Sequence, residues 1–82
     1  MDDNMNNEKI IARIPRSATQ ELVVKTGEYW KIDVVDMRWY NNGSITRKGL
    51  RVNMEEAKTL LRALHKVVGE YGSESKETEG EV

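Results

Sequence analysis

The sequence predicts an α+β domain of four antiparallel strands followed by one C-terminal helix, β-β-β-β-α. Three observations carry this. Short runs rich in β-branched residues are separated by turn signals; Asn42-Gly43 is the dipeptide preferred by a type I′ hairpin; and the apolar period changes from two to about 3.6 after Val52.

The first two strands are read at "KIIARI" and "ELVVK", joined by "PRSATQ", which opens on the only proline. "KIDVVDMRWY" forms the third and "SITRKGLRV" the fourth, across the Asn42-Gly43 turn. Ala57, Leu60, Leu61, Leu64, Val67, Val68 and Tyr71 then lie on one stripe of a helix from about Met54 to Gly69 or Glu70. Asn53 and Glu56 have the spacing of a capping box at its start.

At 82 residues the chain allows one domain with a small core, a shortage that a dimer would ease. No cysteine is present, so thiolate metal sites, disulfides and thiol nucleophiles are excluded, and His65 is a lone histidine. No carboxylate pair has a spacing that stands out. The chain is therefore read as a non-enzyme with no catalytic residue, no metal and no cofactor. No apolar run approaches the ~20 residues of a membrane span, and the start lacks a signal peptide's pattern, so a soluble intracellular protein without a membrane partner is expected.

The formal charge of −1 hides a segregation. Residues 1–8 carry Asp2, Asp3 and Glu8 with no cation, and residues 70–82 carry five glutamates against Lys76, whereas residues 9–69 sum to +6. Residues 1–8 and 72–82 are expected to be disordered acidic ends, the latter a possible competitor for the basic face, around a domain at 9–71.

A two-residue loop at Asn42-Gly43 pairs Asn41 with Ser44 and sorts the last hairpin into two faces. Trp39, Met37, Val35 and Asp33 lie against Thr46, Lys48, Leu50 and Val52, an apolar bed for the helix. Tyr40, Arg38, Asp36 and Val34 lie opposite Ile45, Arg47, Gly49 and Arg51. Arg38 facing Arg47 is a like-charge pair that calls for a bound anion, or for Asp36 as a structural acceptor. Cations beside an aromatic suit single-stranded nucleic acid, where phosphates need charge and bases need a flat π-surface. Tyr29 and Trp30, in or beside the preceding turn between Lys25 and Lys31, supply further rings, one expected to be packed and one exposed. Arg13 and Arg16 are placed to extend the basic track.

The segments "RIPRSATQELVV", "EYWKIDVVDMRWY" and "RKGLRVNMEEAKTLLRAL", with nine residues from Tyr29 to Arg38, resemble the positive cofactor four family of transcriptional coactivators and its bacterial and phage relatives. The resemblance runs from about Ile10 to Val68, and it rests on the order and spacing of "VDMR", "RKGL" and the aromatic rather than on any one piece. It implies a curved sheet backed by the helix, and a homodimer formed through the helices, where Leu61, Leu64, His65 and Val68 would lie. It implies binding of single-stranded or melted DNA without catalysis, in transcription regulation or DNA metabolism. By position Tyr29 matches the base-stacking aromatic, Arg38 the backbone-binding arginine and Lys48 the lysine before the glycine, with Tyr40 near a second aromatic. With Trp30, Lys31, Arg47, Arg51, Lys25 and Arg13, these form the expected DNA site. Two departures stand out: a shorter turn before "RKGL", and "WKI" in place of the basic residues that follow the loop aromatic. Strict alternation sends Lys48 to the helix side, and a bulge at Gly49 would return it to the DNA. A cytoplasmic, nucleoid-associated location is expected for a bacterial or phage protein and a nuclear one for a eukaryotic protein. RNA binding, or an acidic protein partner for the basic face, are the competing readings.

Overall fold

The computed structural model describes residues 5–78, with side chains through Tyr71. Strands β1 (Asn6–Pro15), β2 (Gln20–Tyr29), β3 (Ile32–Asn41) and β4 (Ser44–Asn53) form one antiparallel sheet in the order β1-β2-β3-β4, followed by helix α1 (Met54–Thr78). The predicted β-β-β-β-α order is the observed one. Each connection has a local cause. Between β1 and β2, the Ser17 hydroxyl accepts from the amides of Thr19 and Gln20 (both 3.2 Å), and the Asn42 amide donates to the Thr19 carbonyl at 2.7 Å, tying this loop to the far turn. Asn42 and Gly43 have φ of 54° and 81°, the positive pair that a type I′ turn requires. Helix α1 begins on a reciprocal capping box: Asn53 N donates to Glu56 Oε1 and Glu56 N to Asn53 Oδ1, each at 2.8 Å.

The ends differ from expectation. Strand β1 starts at Asn6, so Asn6 to Glu8 belong to the sheet and not to a disordered end, because their backbone pairs with β2 from Asn6 opposite Glu28 onward. The helix backbone continues to Thr78; Glu and Lys are good helix formers, so a polar segment need not end a helix. Of the two expected acidic ends, residues 1–4 and 79–82 lie outside the described residues.

The register of the last hairpin changes partway along. Asn41 faces Ser44 and Tyr40 faces Ile45 as predicted, but Arg38 then faces Gly49, Met37 faces Leu50 and Asp36 faces Arg51. Three residues of β4, Thr46 to Lys48, therefore stand against Trp39 alone. The bulge adds two residues, an even number, so the predicted faces survive while the predicted partners do not. In particular, Arg38 does not face Arg47.

Pairing across the sheet extends the cationic face to Val23, Lys25 and Gly27 of β2, and the apolar face to Leu22, Val24 and Thr26. The deepest burial is on the cationic face, at Val23, Val34, Lys25 and Asp36, contrary to the expectation of a core under the helix. Met5 is also buried, packed close over Gly27, where an added Cβ would come within 3.0 Å of the Met5 Cβ. The reason is that the helix covers little of the apolar face: Ala57 and Leu60 are half-buried, while Leu61, Leu64, Val67, Val68 and Tyr71 are 50–69% exposed.

Candidate nucleic-acid interface

The centre of the cationic face is Asp36, 1% exposed. Its Oδ1 accepts from Arg38 Nη2 at 2.8 Å and from Arg51 Nε at 3.1 Å, and Arg38 Nε reaches Oδ2 at 3.5 Å. The new register causes this, since it puts Arg51 directly opposite Asp36. Arg38 also donates from Nη1 to the Arg47 carbonyl at 3.1 Å, so one guanidinium closes the bulge and grips the carboxylate. The structural role weighed for Asp36 is thus the observed one. Burial alone would raise its pKa, but the hydrogen bonds and charge of Arg38, then of Arg51, more than offset this and hold it below the ordinary value.

A lowered carboxylate pKa gives stability that is present above the unfolded value, near pH 4, and lost as pH falls through the folded one. Asp36→Asn is expected to lower stability by roughly 2–3 kcal/mol at neutral pH, toward the low end for breaking a buried pair because both arginines keep some contact with water. It should also flatten the acid limb of the stability profile in urea melts at several pH values. An unchanged acid limb would mean that Asp36 carries no such role.

Lys25 sits beside this cluster with its side chain 9% exposed. Its Nζ donates to Glu8 Oε1 at 3.3 Å and to the Tyr40 hydroxyl at 3.2 Å, and lies 5.8 Å from the Tyr40 ring centre. Burial disfavours its charge, but Tyr40 and Glu8 outweigh burial, and the pKa is raised. Lys25, Arg38, Arg47 and Arg51 line one groove of about 440 Å³ together with Glu8, Asp36, Ile45 and Thr46. Four of the expected site residues are thus brought together, against two carboxylates.

The aromatics divide as expected. Tyr29 ends β2 partly buried, with the Arg51 guanidinium 4.8 Å above its ring, and Trp30 is 80% exposed at the turn, edge-on to Tyr29 at 6.2 Å. Trp30 and Lys31 have φ of 55° and 66°, making a second type I′ turn from residues that do not favour it. A bulky residue at positive φ costs on the order of 1–2 kcal/mol, and such strain collects where a side chain has to be presented.

Other expected residues fall elsewhere. Arg13 is on the cationic face but pairs with Glu21 at 2.7 Å. Arg16 does not extend the track: its guanidinium lies 3.8 Å over Trp39, whose register puts it on the apolar face. Lys48 is exposed, spends its amide on Thr46 Oγ1 at 3.2 Å, and does not line the groove. His65 is exposed on the helix with Leu61, Leu64 and Val68.

Glu8 is the groove residue that the sequence reading missed. It lies within the register break between Asn6 and Lys9 of β1, beside Asn7 at φ 57°, and the only hint was Asn6-Asn7, asparagine being tolerant of positive φ. Among the described residues no group of His, Asp or Glu could hold a metal ion, and no helix is long and apolar enough to cross a membrane. No protein-family model, curated protein or solved structure matches the chain.

Proposed function

We propose that this chain binds single-stranded or melted DNA, largely without sequence preference, by gripping phosphates in the cationic groove and stacking bases on the rings of the β2–β3 turn. The observation that carries the reading is the presence of these two features on one sheet: a groove lined by Lys25, Arg38, Arg47 and Arg51 of β2, β3 and β4, and a tryptophan held 80% exposed in the strained β2–β3 turn. Base stacking on such a ring is indifferent to base identity, and phosphate contact is indifferent to sequence. The resemblance to the positive cofactor four family supports the same reading, as does its expectation of a homodimer joined through the helices. The protein acts by binding and not by catalysis, in transcription regulation or another process that exposes single strands.

Titration with a single strand of about 20 nucleotides and with the matching duplex, over a range of salt, tests this. The single strand is expected to bind more tightly, with log affinity falling by about 0.7 per phosphate neutralised for each decade of salt. Tyr29 and Arg38 are engaged with their neighbours, so the cleaner probes are the exposed Trp30 and Arg47. Trp30→Ala should weaken binding by about 1–3 kcal/mol, roughly 5- to 150-fold, with the fold intact by circular dichroism. Arg47→Ala should lower the salt slope by about 0.7. No binding at low salt, or equal affinity for duplex, overturns the reading. An RNA strand of the same sequence in competition decides between the two sugars, since stacking and phosphate contact do not.

A further inference from the structure

We infer that the Lys25 ammonium and the Tyr40 hydroxyl form a subsite for one phosphate oxyanion of the bound strand, and that Glu8 fills this subsite until the strand displaces it. The inference rests on the nucleic-acid reading above and deepens it. A buried ammonium needs an anionic or strongly polar partner on every side from which water is excluded. Lys25 has two, Tyr40 Oη at 3.2 Å and Glu8 Oε1 at 3.3 Å. A carboxylate oxygen and a phosphate oxygen offer the same charged acceptor to these donors, so one can replace the other with the local charge kept in balance. They cannot share the position, because two anions a few ångströms apart repel each other strongly in a site shielded from water.

Of the two carboxylates in the groove, only Glu8 is placed to leave. Asp36 projects from the central strand β3, is 1% exposed and is held by two guanidiniums. Glu8 projects from the edge strand β1, its side chain is 39% exposed, and among the described residues its partner is Lys25. The backbone around it is irregular, since Glu8 lies within the register break between Asn6 and Lys9, next to Asn7 at positive φ. When Glu8 departs, Asp36 is the remaining carboxylate among the described residues that line the groove with Lys25, Arg38, Arg47 and Arg51, and the groove becomes a stronger anion site.

The test uses the full chain, a single strand of about 20 nucleotides, and four proteins: wild type, Glu8→Gln, Lys25→Met and the double variant. Removing the negative charge at Glu8 is equivalent to neutralising one more phosphate, so Glu8→Gln is expected to bind about fivefold more tightly near 0.1 M salt, with a salt slope steeper by about 0.7. In the Lys25→Met background the same substitution should give no gain, because the subsite is gone. An equal gain in both backgrounds would make Glu8 a bystander charge and overturn the inference. The Lys25 ¹⁵Nζ resonance gives an answer without any Lys25 variant: it is expected to shift as Glu8 is exchanged for phosphate, and an unmoved resonance overturns the assignment. If neither wild type nor Glu8→Gln binds the strand, the nucleic-acid reading falls and the subsite with it. If wild type binds and Glu8→Gln binds no tighter, only the subsite falls.

Discussion

Gly49→Ala is expected to destabilise the domain by about 3–5 kcal/mol, a large part of the stability of so small a protein. Gly49 has φ of 151°, and a Cβ there would lie 2.1 Å from the Met37 carbonyl oxygen and 2.8 Å from Arg38 Cα. Both are backbone atoms of the strand next door, so no side chain can swing aside to make room. The register depends on this close approach: Gly49 faces Arg38, and the bulge from Thr46 to Lys48 that precedes it brings Arg51 opposite Asp36. The alanine variant therefore either unfolds or shifts β4, and any chain that remains folded should have lost most of its affinity for single strands. Gly43→Ala is the control. Its φ of 81° carries a backbone cost of about 1 kcal/mol, but nothing lies within 4 Å of the new methyl. Urea melts of the three proteins decide the matter, and a Gly49→Ala variant within about 1 kcal/mol of wild type would show that the strand can relax around a methyl group.

What was legible in the sequence follows from whether the controlling interaction is local. The Asn42-Gly43 turn and the Asn53 to Glu56 capping box are short-range devices with residue types that favour them, and both appear where the sequence puts them. The two faces of the last hairpin were legible because side-chain parity depends only on alternation, and a two-residue bulge leaves parity unchanged. The partners within a face were not, since no propensity announces that three residues of β4 will stand against Trp39. Glycine at position 49 hinted at an irregularity, but not at its size. A turn near Tyr29 and Trp30 was legible, but not its type or its two residues: Trp30 and Lys31 oppose the backbone they adopt, and only the pairing of Tyr29 with Ile32 imposes it. Arg16 over Trp39 and Glu8 against Lys25 are contacts between distant segments, beyond what spacing along the chain can reveal.

The double substitution Leu61→Asp, Leu64→Asp is expected to convert the proposed dimer into a largely unfolded monomer. Among the described residues of one chain the buried apolar side chains are Met5, Val23 and Val34, too few to offset the ordering of β1 to α1 at roughly 1–2 kcal/mol of backbone entropy per residue. Meanwhile Leu50 is 47% exposed at the sheet's apolar face, and the helix stripe from Leu61 to Tyr71 is more exposed still. Each such side chain gains about 1.5–3 kcal/mol when fully buried, so a second chain covering the stripe, as proposed, would supply what the single chain lacks. Wild type should therefore sediment as a dimer at tens of micromolar, with a melting temperature that rises with protein concentration. The double variant should be monomeric, with weak helical circular dichroism and no cooperative melt. Two joined subunits would also present two grooves to one strand, and dissociation should then cost far more affinity than the loss of one groove, because the second contact is made at a high effective concentration. A wild-type monomer with a concentration-independent, cooperative melt would overturn the proposed dimer. It would then fall to the cationic face, where Val23 and Asp36 are buried most deeply, to account for the stability of the fold.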